Sequence, residues 1–262
     1  MKKNLLFLLL ISYTGLHTQS WAQIQIPEKT DSIYSIAEYF KRSKIHFETN
    51  TLIEYKEIKG VKTKNAENER TIEKIKINNV KYYKVTTINR PVQSENITTV
   101  IALLDYGDLH IIQMQLNAKS DSGFVEFSNN QFIGWSQLPK EERKKIDMAY
   151  VGFPLVTSDA GINWIAGIIA TKKDKKFALS HFALFANTVK WKIFHVLLKE
   201  KVRIESKLFN CWKVNAGPMG PPGFVSYLWF ETKTGRLIKT ELSKEGGETK
   251  FVSELKLKSI VK

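Results

Sequence analysis

One cysteine, Cys211, is all that the 262 residues supply, so no internal disulfide holds this chain and its stability must come from burial. Neither His-x-x-x-His nor Cys-x-x-Cys occurs, so the short spacings that mark zinc sites are missing. Gly-x-Ser-x-Gly is also missing, and Gly161 with Gly167 does not build a phosphate loop. No RNA-binding aromatic motif or zinc-finger spacing is present. Beyond the first residues, no apolar run approaches the roughly 20 residues that a spanning helix needs. These gaps leave no catalytic residue, no metal ligand and no cofactor to name. They favour a chain that is not an enzyme.

What is present begins with a leader. Lys2 and Lys3 form a positive n-region, Leu5 to Ile11 an apolar h-region, and Ser20-Trp21-Ala22 puts small residues at both positions a signal peptidase must hold. Residues 1–22 therefore read as a cleavable signal peptide, followed by a single β-rich domain over 23–262. Cys211 lies far from the apolar run, so lipid anchoring is not expected. The expected location is extracytoplasmic, periplasmic or secreted, with no transmembrane segment in the mature chain.

Charge is the strongest compositional bias: 40 Lys+Arg against 26 Asp+Glu, a formal net charge of +14. The basic residues are dispersed, as in Lys172-Lys173-Asp174-Lys175-Lys176, and read as solvated turns. Together with export, this argues against a nucleic-acid partner. Hydrophobic residues make up 43% of the chain and aromatic residues 11%, enough for a real core.

Along the chain, Ile33, Ile36, Ala37 and Phe40 recur at helical spacing behind Thr30-Asp31, predicting a helix. From Ile45 to Tyr55 the period changes to two, predicting a strand. Lys59 to Arg70 is charged and lacks apolar rhythm, so an exposed loop is expected there. Strands follow at 71–77, 80–89, 97–105 and 109–117, with Asn78-Asn79 and Tyr106-Gly107-Asp108 as tight turns. Residues 118–135 read as irregular with a short Phe124–Phe127 strand, Pro139 to Met148 as a short surface helix, and Phe153 to Ala170 as loop and buried strand.

The C-terminal portion predicts strands at 177–184, 188–198, 201–206, 208–215, 223–231, 236–243 and 249–260. Turns fall at Thr232-Lys233-Thr234-Gly235 and Glu245-Gly246-Gly247. Gly217 to Gly223 is a rigid glycine-proline loop, too short for a triple helix. Strand after strand with short turns predicts a mainly β fold: a curved antiparallel sheet, half-barrel-like, with a few short helices.

Isolated polar residues have bland readings. His46, His110, His181 and His195 are scattered. Asp105 and Asp108 flank a Tyr-Gly turn and read as hairpin residues rather than an opposed carboxylate pair. Cys211 lies within a strand and reads as a buried structural thiol. The informative feature is aromatic placement. Trp191 alternates in phase with Val189, Ile193 and Leu197, Trp212 with Leu208 and Val214, and Trp229 with Val225 and Tyr227. Either these rings are core, or the sheet turns them into an apolar groove. Lys190, Lys192, Lys213, Glu254, Lys256 and Lys258 would then occupy the solvated side.

Phe209-Asn210-Cys211-Trp212-Lys213-Val214, followed by Tyr227-Leu228-Trp229-Phe230-Glu231-Thr232-Lys233-Thr234-Gly235-Arg236-Leu237-Ile238-Lys239, resembles the final strands of uncharacterised exported bacterial proteins. These in turn are similar to the half-barrel carriers and receptors that move lipoproteins across the periplasm. The resemblance covers residues 177–262. It implies a curved sheet, an apolar concavity plugged by helices, and no catalytic residues.

The first expectation is thus a non-enzymatic extracytoplasmic protein binding an apolar or lipid-like ligand, with Trp191, Trp212, Tyr227 and Trp229 as contact residues. The alternative is an envelope structural domain that docks a protein partner. A hydrolase in which His110 or His195 meets a carboxylate ranks last.

Overall fold

The computed structural model describes residues 49–107, 109–149, 159–171, 176–217, 223–244 and 247–257. The leader, the helix expected behind Thr30-Asp31, His46 and the glycine-proline loop at 218–222 lie outside the described residues.

The first eight strands are β1 (Asn50–Ile58), β2 (Val61–Ile77), β3 (Val80–Pro91), β4 (Thr98–Asp105), β5 (Ile111–Asn117), β6 (Ser122–Ser128), β7 (Gln131–Gln137) and β8 (Lys144–Ala149). Helix α1 (Asp159–Ala170) follows. Then come β9 (Lys176–Ala183), a 3-10 turn (Leu184–Ala186), β10 (Thr188–Ile204), β11 (Lys207–Asn215), β12 (Phe224–Glu231), β13 (Leu237–Lys244) and β14 (Thr249–Leu255).

All fourteen strands belong to one antiparallel sheet with the order β8-β7-β6-β5-β4-β3-β2-β1-β14-β13-β12-β11-β10-β9. The chain enters at the middle of the sheet and meanders outward to β8. It then passes through α1 to the far edge and meanders back. The first and last strands zip together, from Leu52 opposite Leu255 to Ile58 opposite Thr249. The mainly β, curved antiparallel expectation therefore holds.

Four local expectations do not. The charged stretch from Lys59 to Arg70 is a hairpin, turning at Lys59-Gly60 with positive φ at both residues. Its charges are consumed across strands: Lys62 pairs with Glu254 at 2.8 Å, Arg90 with Glu69 at 3.2 Å and Lys256 with Glu67 at 3.3 Å. A polar strand needs no apolar rhythm when its neighbours carry the opposite sign. The segment read as a surface helix contains β8, where Ile146 is fully buried and its neighbours are exposed. The stretch 118–135, expected to be irregular apart from a Phe124–Phe127 strand, holds β6, which contains that strand, and most of β7, joined by Asn129-Asn130 with both φ positive.

The largest correction concerns Phe153 to Ala170, whose second half is α1. Its isoleucines favour strand by propensity, and a short apolar run does not separate a buried strand from a buried helix. The tertiary setting decides. Ile162, Ile165, Ala166, Ile169 and Ala170 have essentially no exposure, and Trp164 and Ile168 little. A helix apolar on all sides belongs inside a protein. Its last turn is closed by the Thr171 hydroxyl, which donates to the Ile168 carbonyl at 2.7 Å.

The sheet curls until its two ends approach. Phe132 of β7 stacks on Phe182 of β9 with ring centroids 4.3 Å apart and planes 18° apart. Leu184 lies against Gly123 of β6, where a Cβ would meet it at 2.6 Å. Among the described residues β8 and β9 share no hydrogen-bonded ladder. The curl is thus completed by side chains, not by backbone pairing.

Candidate functional site

The concave face follows from register and burial together. Ile72, Val85 and Ala102 are buried in the main apolar cluster, and residues two away on each strand share their face. Helix α1 meets this face between β3 on one side and β9, β12 and β13 on the other. The interior is apolar: Phe132, Phe177, Phe182, Phe194 and Phe230 are fully buried in one cluster with the α1 isoleucines, Phe177 and Phe194 on the face of Lys192 and Phe182 on the other face of β9.

One cation breaks this interior. Lys192 of β10 is only 5% exposed, and its ammonium donates to the Asn163 side-chain oxygen of α1 at 3.1 Å. It also lies over the Phe194 ring at 5.4 Å. The sequence phase placed Lys192 on the solvated side and Trp191 on the inner side; the structure turns Lys192 to α1 and puts Trp191 on the other face of β10, in the register of Phe182 and Val189. Adjacent strand residues point to opposite faces, so with Lys192 turned to α1 the half-buried Trp191 points away from it, opposite Ser180 of β9. Its buried indole N–H has no hydrogen-bond partner among the described residues.

The four aromatic candidates do not converge. Trp212 packs on the main cluster, opposite Phe230, with the Lys199 ammonium 4.5 Å from its ring. Tyr227 and Trp229 are the pair that comes together, with centroids 6.2 Å apart, on the opposite face of β12. There Trp229 joins a second apolar cluster with Val202, Ile204, Phe209, Cys211, Ile238 and Leu255. Lys213 and Lys239 lie 5.2 Å and 4.8 Å from the Trp229 ring, and its indole N–H donates to Glu200. Lysine stems over a tryptophan leave only 4% of it exposed.

Cys211 lies in the same cluster without exposure. Burial, with Glu231 and Glu200 nearby, pushes its thiol up to about 12, so it remains protonated at neutral pH. Asp105 caps its hairpin, accepting the Gly107 N–H at 2.6 Å. Among the described residues, no three His, Cys, Asp or Glu side chains are grouped to hold a metal.

A polar feature missed at the sequence level lies at the rim of the concave face. Asn50, Arg70 and Thr87 stand directly opposite one another across β1, β2 and β3. They share the face of Leu52, Ile72 and Val85, so this row points inward. Arg70 is 8% exposed, and burial pulls its guanidinium down to about 10, which leaves it charged at neutral pH. Asn50, Arg70, Ile72 and Trp164 line one side of a cleft that Thr234, Gly235, Arg236 and Leu237 complete. Its enclosed space is about 20 Å³, room for a single water. Arg236 is held 3.6 Å from Glu231, which also accepts the Thr234 hydroxyl at 2.6 Å. The legible signal was period two: Ala66, Arg70 and Ile72 fall in phase, with arginine where an apolar residue is due.

Trp164 anchors the cleft from α1. It meets Tyr83 edge-on at 5.7 Å, and Tyr83 stacks on Tyr106 at 5.0 Å. Burial and the neighbouring Tyr106 raise the Tyr83 hydroxyl, whereas a hydrogen bond from Lys74 lowers that of Tyr106.

No protein-family model matches this chain, and no curated protein matches it in sequence. The solved structures similar to this chain include two that follow. One is a β-barrel-like protein of the domain of unknown function DUF1849 from Brucella abortus. It is 8% identical over 81% of this chain and 98% of that one, with a TM-score of 0.49. The other, from Bacteroides fragilis, is described as exported with a YmcC-like fold. It is 9% identical over 79% and 92%, with a TM-score of 0.31. At these scores neither bears on activity. Among the described residues, no helix is long and apolar enough to cross a membrane.

Proposed function

We propose that this chain is a non-enzymatic binding protein acting outside the cytoplasm, and that its ligand is apolar or lipid-like and held on the concave face. The observation that carries this reading is the seam. The sheet curls over an apolar interior, yet among the described residues its end strands β8 and β9 share no ladder. Phe132 on Phe182 and Leu184 on Gly123 bridge the gap. Parting such a seam breaks van der Waals contacts and leaves no inward strand pairing to be broken. It gives a flexible guest a route to the phenylalanine-rich wall, provided that α1 yields space.

The contact residues are then those of the wall, with Trp212 among them. Tyr227 and Trp229 serve the second cluster, and Trp191 faces away from α1. The test is mass spectrometry of lipids extracted from protein purified from its native envelope, set beside binding of a fluorescent fatty-acid analogue to stripped protein. Saturable binding that Trp212→Ala weakens supports the reading. Absence of both bound lipid and analogue binding sinks it.

A further inference from the structure

We propose that the rim where the β2–β3, β4–β5 and β10–β11 hairpins turn docks the protein onto an anionic lipid surface. This goes beyond the apolar-ligand reading and does not depend on a guest in the concave face.

Register brings the pieces together. β2 ends at Ile77, β4 at Asp105 and β10 at Ile204, and the antiparallel order puts all three turns at one end of the sheet. Lys74 and Lys76 fall in phase with the buried Ile72, and Lys76 stands directly opposite Lys81. These three lysines therefore extend the concave face at its mouth. On the far side of α1, Lys199 stands opposite Trp212, Lys201 opposite Asn210 and Arg203 opposite Leu208. Trp212 packs on the main apolar cluster, so this second set of cations borders the same mouth. Both sets are exposed. No strand position on this face holds a carboxylate between Ile72 and Val85, or between Lys199 and Trp212. Asp105 and Glu205 belong to the turns, and Asp105 accepts the Gly107 N–H.

Two features separate this rim from an ordinary solvated face. The first is what accompanies the cations. Lys74 and Lys81 lie 5.2 Å and 5.6 Å from the exposed Tyr106 ring, and Lys199 lies 4.5 Å from the Trp212 ring. Ile77, Val80 and Leu208 are exposed at the same tips. Lysine heads, an amphipathic ring and aliphatic tips together suit the boundary between lipid headgroups and acyl chains. A soluble polyanion would engage the charges and leave the tips in water. The second feature is charge balance. The opposite rim matches its lysines with acids: Lys59 with Glu248 at 3.4 Å, Lys62 with Glu254 at 2.8 Å and Lys119 with Glu95 at 3.6 Å. Here Lys76 faces Lys81 instead, and like charges directly opposite destabilise a strand pair. An anionic surface relieves that repulsion, and each lysine near it adds attraction. The formal net charge of +14 draws the whole chain the same way.

The experiment mixes the full mature chain with vesicles of phosphatidylcholine, with and without one-third phosphatidylglycerol, and reads bound protein by sedimentation. No fatty-acid analogue is present, so the outcome is separate from the test of the apolar-ligand reading. Wild type should bind the anionic vesicles, and less as salt rises. Lys76→Gln with Lys81→Gln should weaken that binding at least about tenfold, and so should Lys199→Gln with Lys201→Gln. Ile77→Ser with Val80→Ser should weaken it about tenfold while every charge is kept. Lys59→Gln with Lys62→Gln, which removes as much charge from the opposite rim, should leave it unchanged. All these positions are exposed, and circular dichroism checks that each variant folds. No binding to the anionic vesicles, or an equal loss from the Lys59 and Lys62 pair, overturns the proposal. Binding indifferent to the Ile77 and Val80 change also overturns it, and assigns the charges to a soluble polyanion.

Discussion

A Cβ built on Gly167 would stand 2.1 Å from the carbonyl oxygen of Gly235. Helix and turn touch backbone to backbone at this point, and this contact seats α1 inside the sheet. Gly235 itself has φ +71° in the Thr-Gly turn, a conformation that glycine adopts without strain. Gly167→Ala should therefore cost at least about 1–3 kcal/mol, the usual range for overpacking. Urea unfolding followed by tryptophan fluorescence measures it. A change below the error of the titration would mean that α1 is not docked as described.

The same helix is tied to the wall by Asn163 and Lys192. Asn163→Leu removes the amide that receives the ammonium, and should destabilise by about 1–3 kcal/mol, as expected when a buried charged donor loses a partner. Lys192→Met in the Asn163→Leu background should recover much of that loss, because the ammonium is no longer there to be satisfied. A double mutant no more stable than the single one would contradict the pairing.

Cys211 should resist modification in the folded protein. Its thiol is buried and shifted up to about 12, so at pH 8 little thiolate exists to attack an alkylating reagent. Labelling by iodoacetamide should be slow in buffer and rapid in urea. The linked stability effect has a definite sign. A thiol whose folded value lies above its ordinary 9.0 keeps its proton longer in the folded state. Its contribution is intact below about pH 9 and lost progressively toward pH 12. Cys211→Ala should flatten that part of the stability profile.

The two Asn-Asn turns offer a local check. Asn78 and Asn79 have φ of 47° and 67°, and Asn129 and Asn130 have 49° and 58°. Both pairs suit two-residue hairpins, in which asparagine tolerates the left-handed region and β-branched residues do not. Asn79→Val should cost about 1–2 kcal/mol and Asn79→Gly close to nothing. Equal melting temperatures for the two variants would contradict the turn geometry.

These residues also show where sequence was sufficient. Asn78-Asn79, Asp105 to Gly107 and Thr232 to Gly235 announced their turns because turn chemistry is local. The strands between them followed from a period of two. Asn129-Asn130 carries the same signal as Asn78-Asn79 and is as readable. What was not readable depends on partners distant in sequence. The charged hairpin from Lys59 to Arg70 makes sense only beside Glu254 and Lys256. Helix α1 is helical because a wall of phenylalanines and Gly235 surround it. The inward face of β10 follows Lys192, and no pattern rule predicts a buried lysine whose receiving amide lies in another element. A bulge between Val196 and Leu198 then exchanges the faces of that strand, so that Val202 and Ile204 enter the second cluster. Extrapolating one phase along the strand could not capture this. Arg70 differs: its period-two phase with Ala66 and Ile72 is legible, but the charged residues around it mask the strand.

The account turns on whether the seam between β7 and β9 opens to admit an apolar guest. Phe132→Cys and Phe182→Cys, introduced together in a Cys211→Ala background, place a thiol on each side of it. Uptake of a fluorescent fatty-acid analogue is then compared between the oxidised, bridged protein and the same protein after reduction. Binding slowed at least tenfold by the bridge and restored by reductant is the predicted result. Identical uptake in the two states, or none in either, would contradict it.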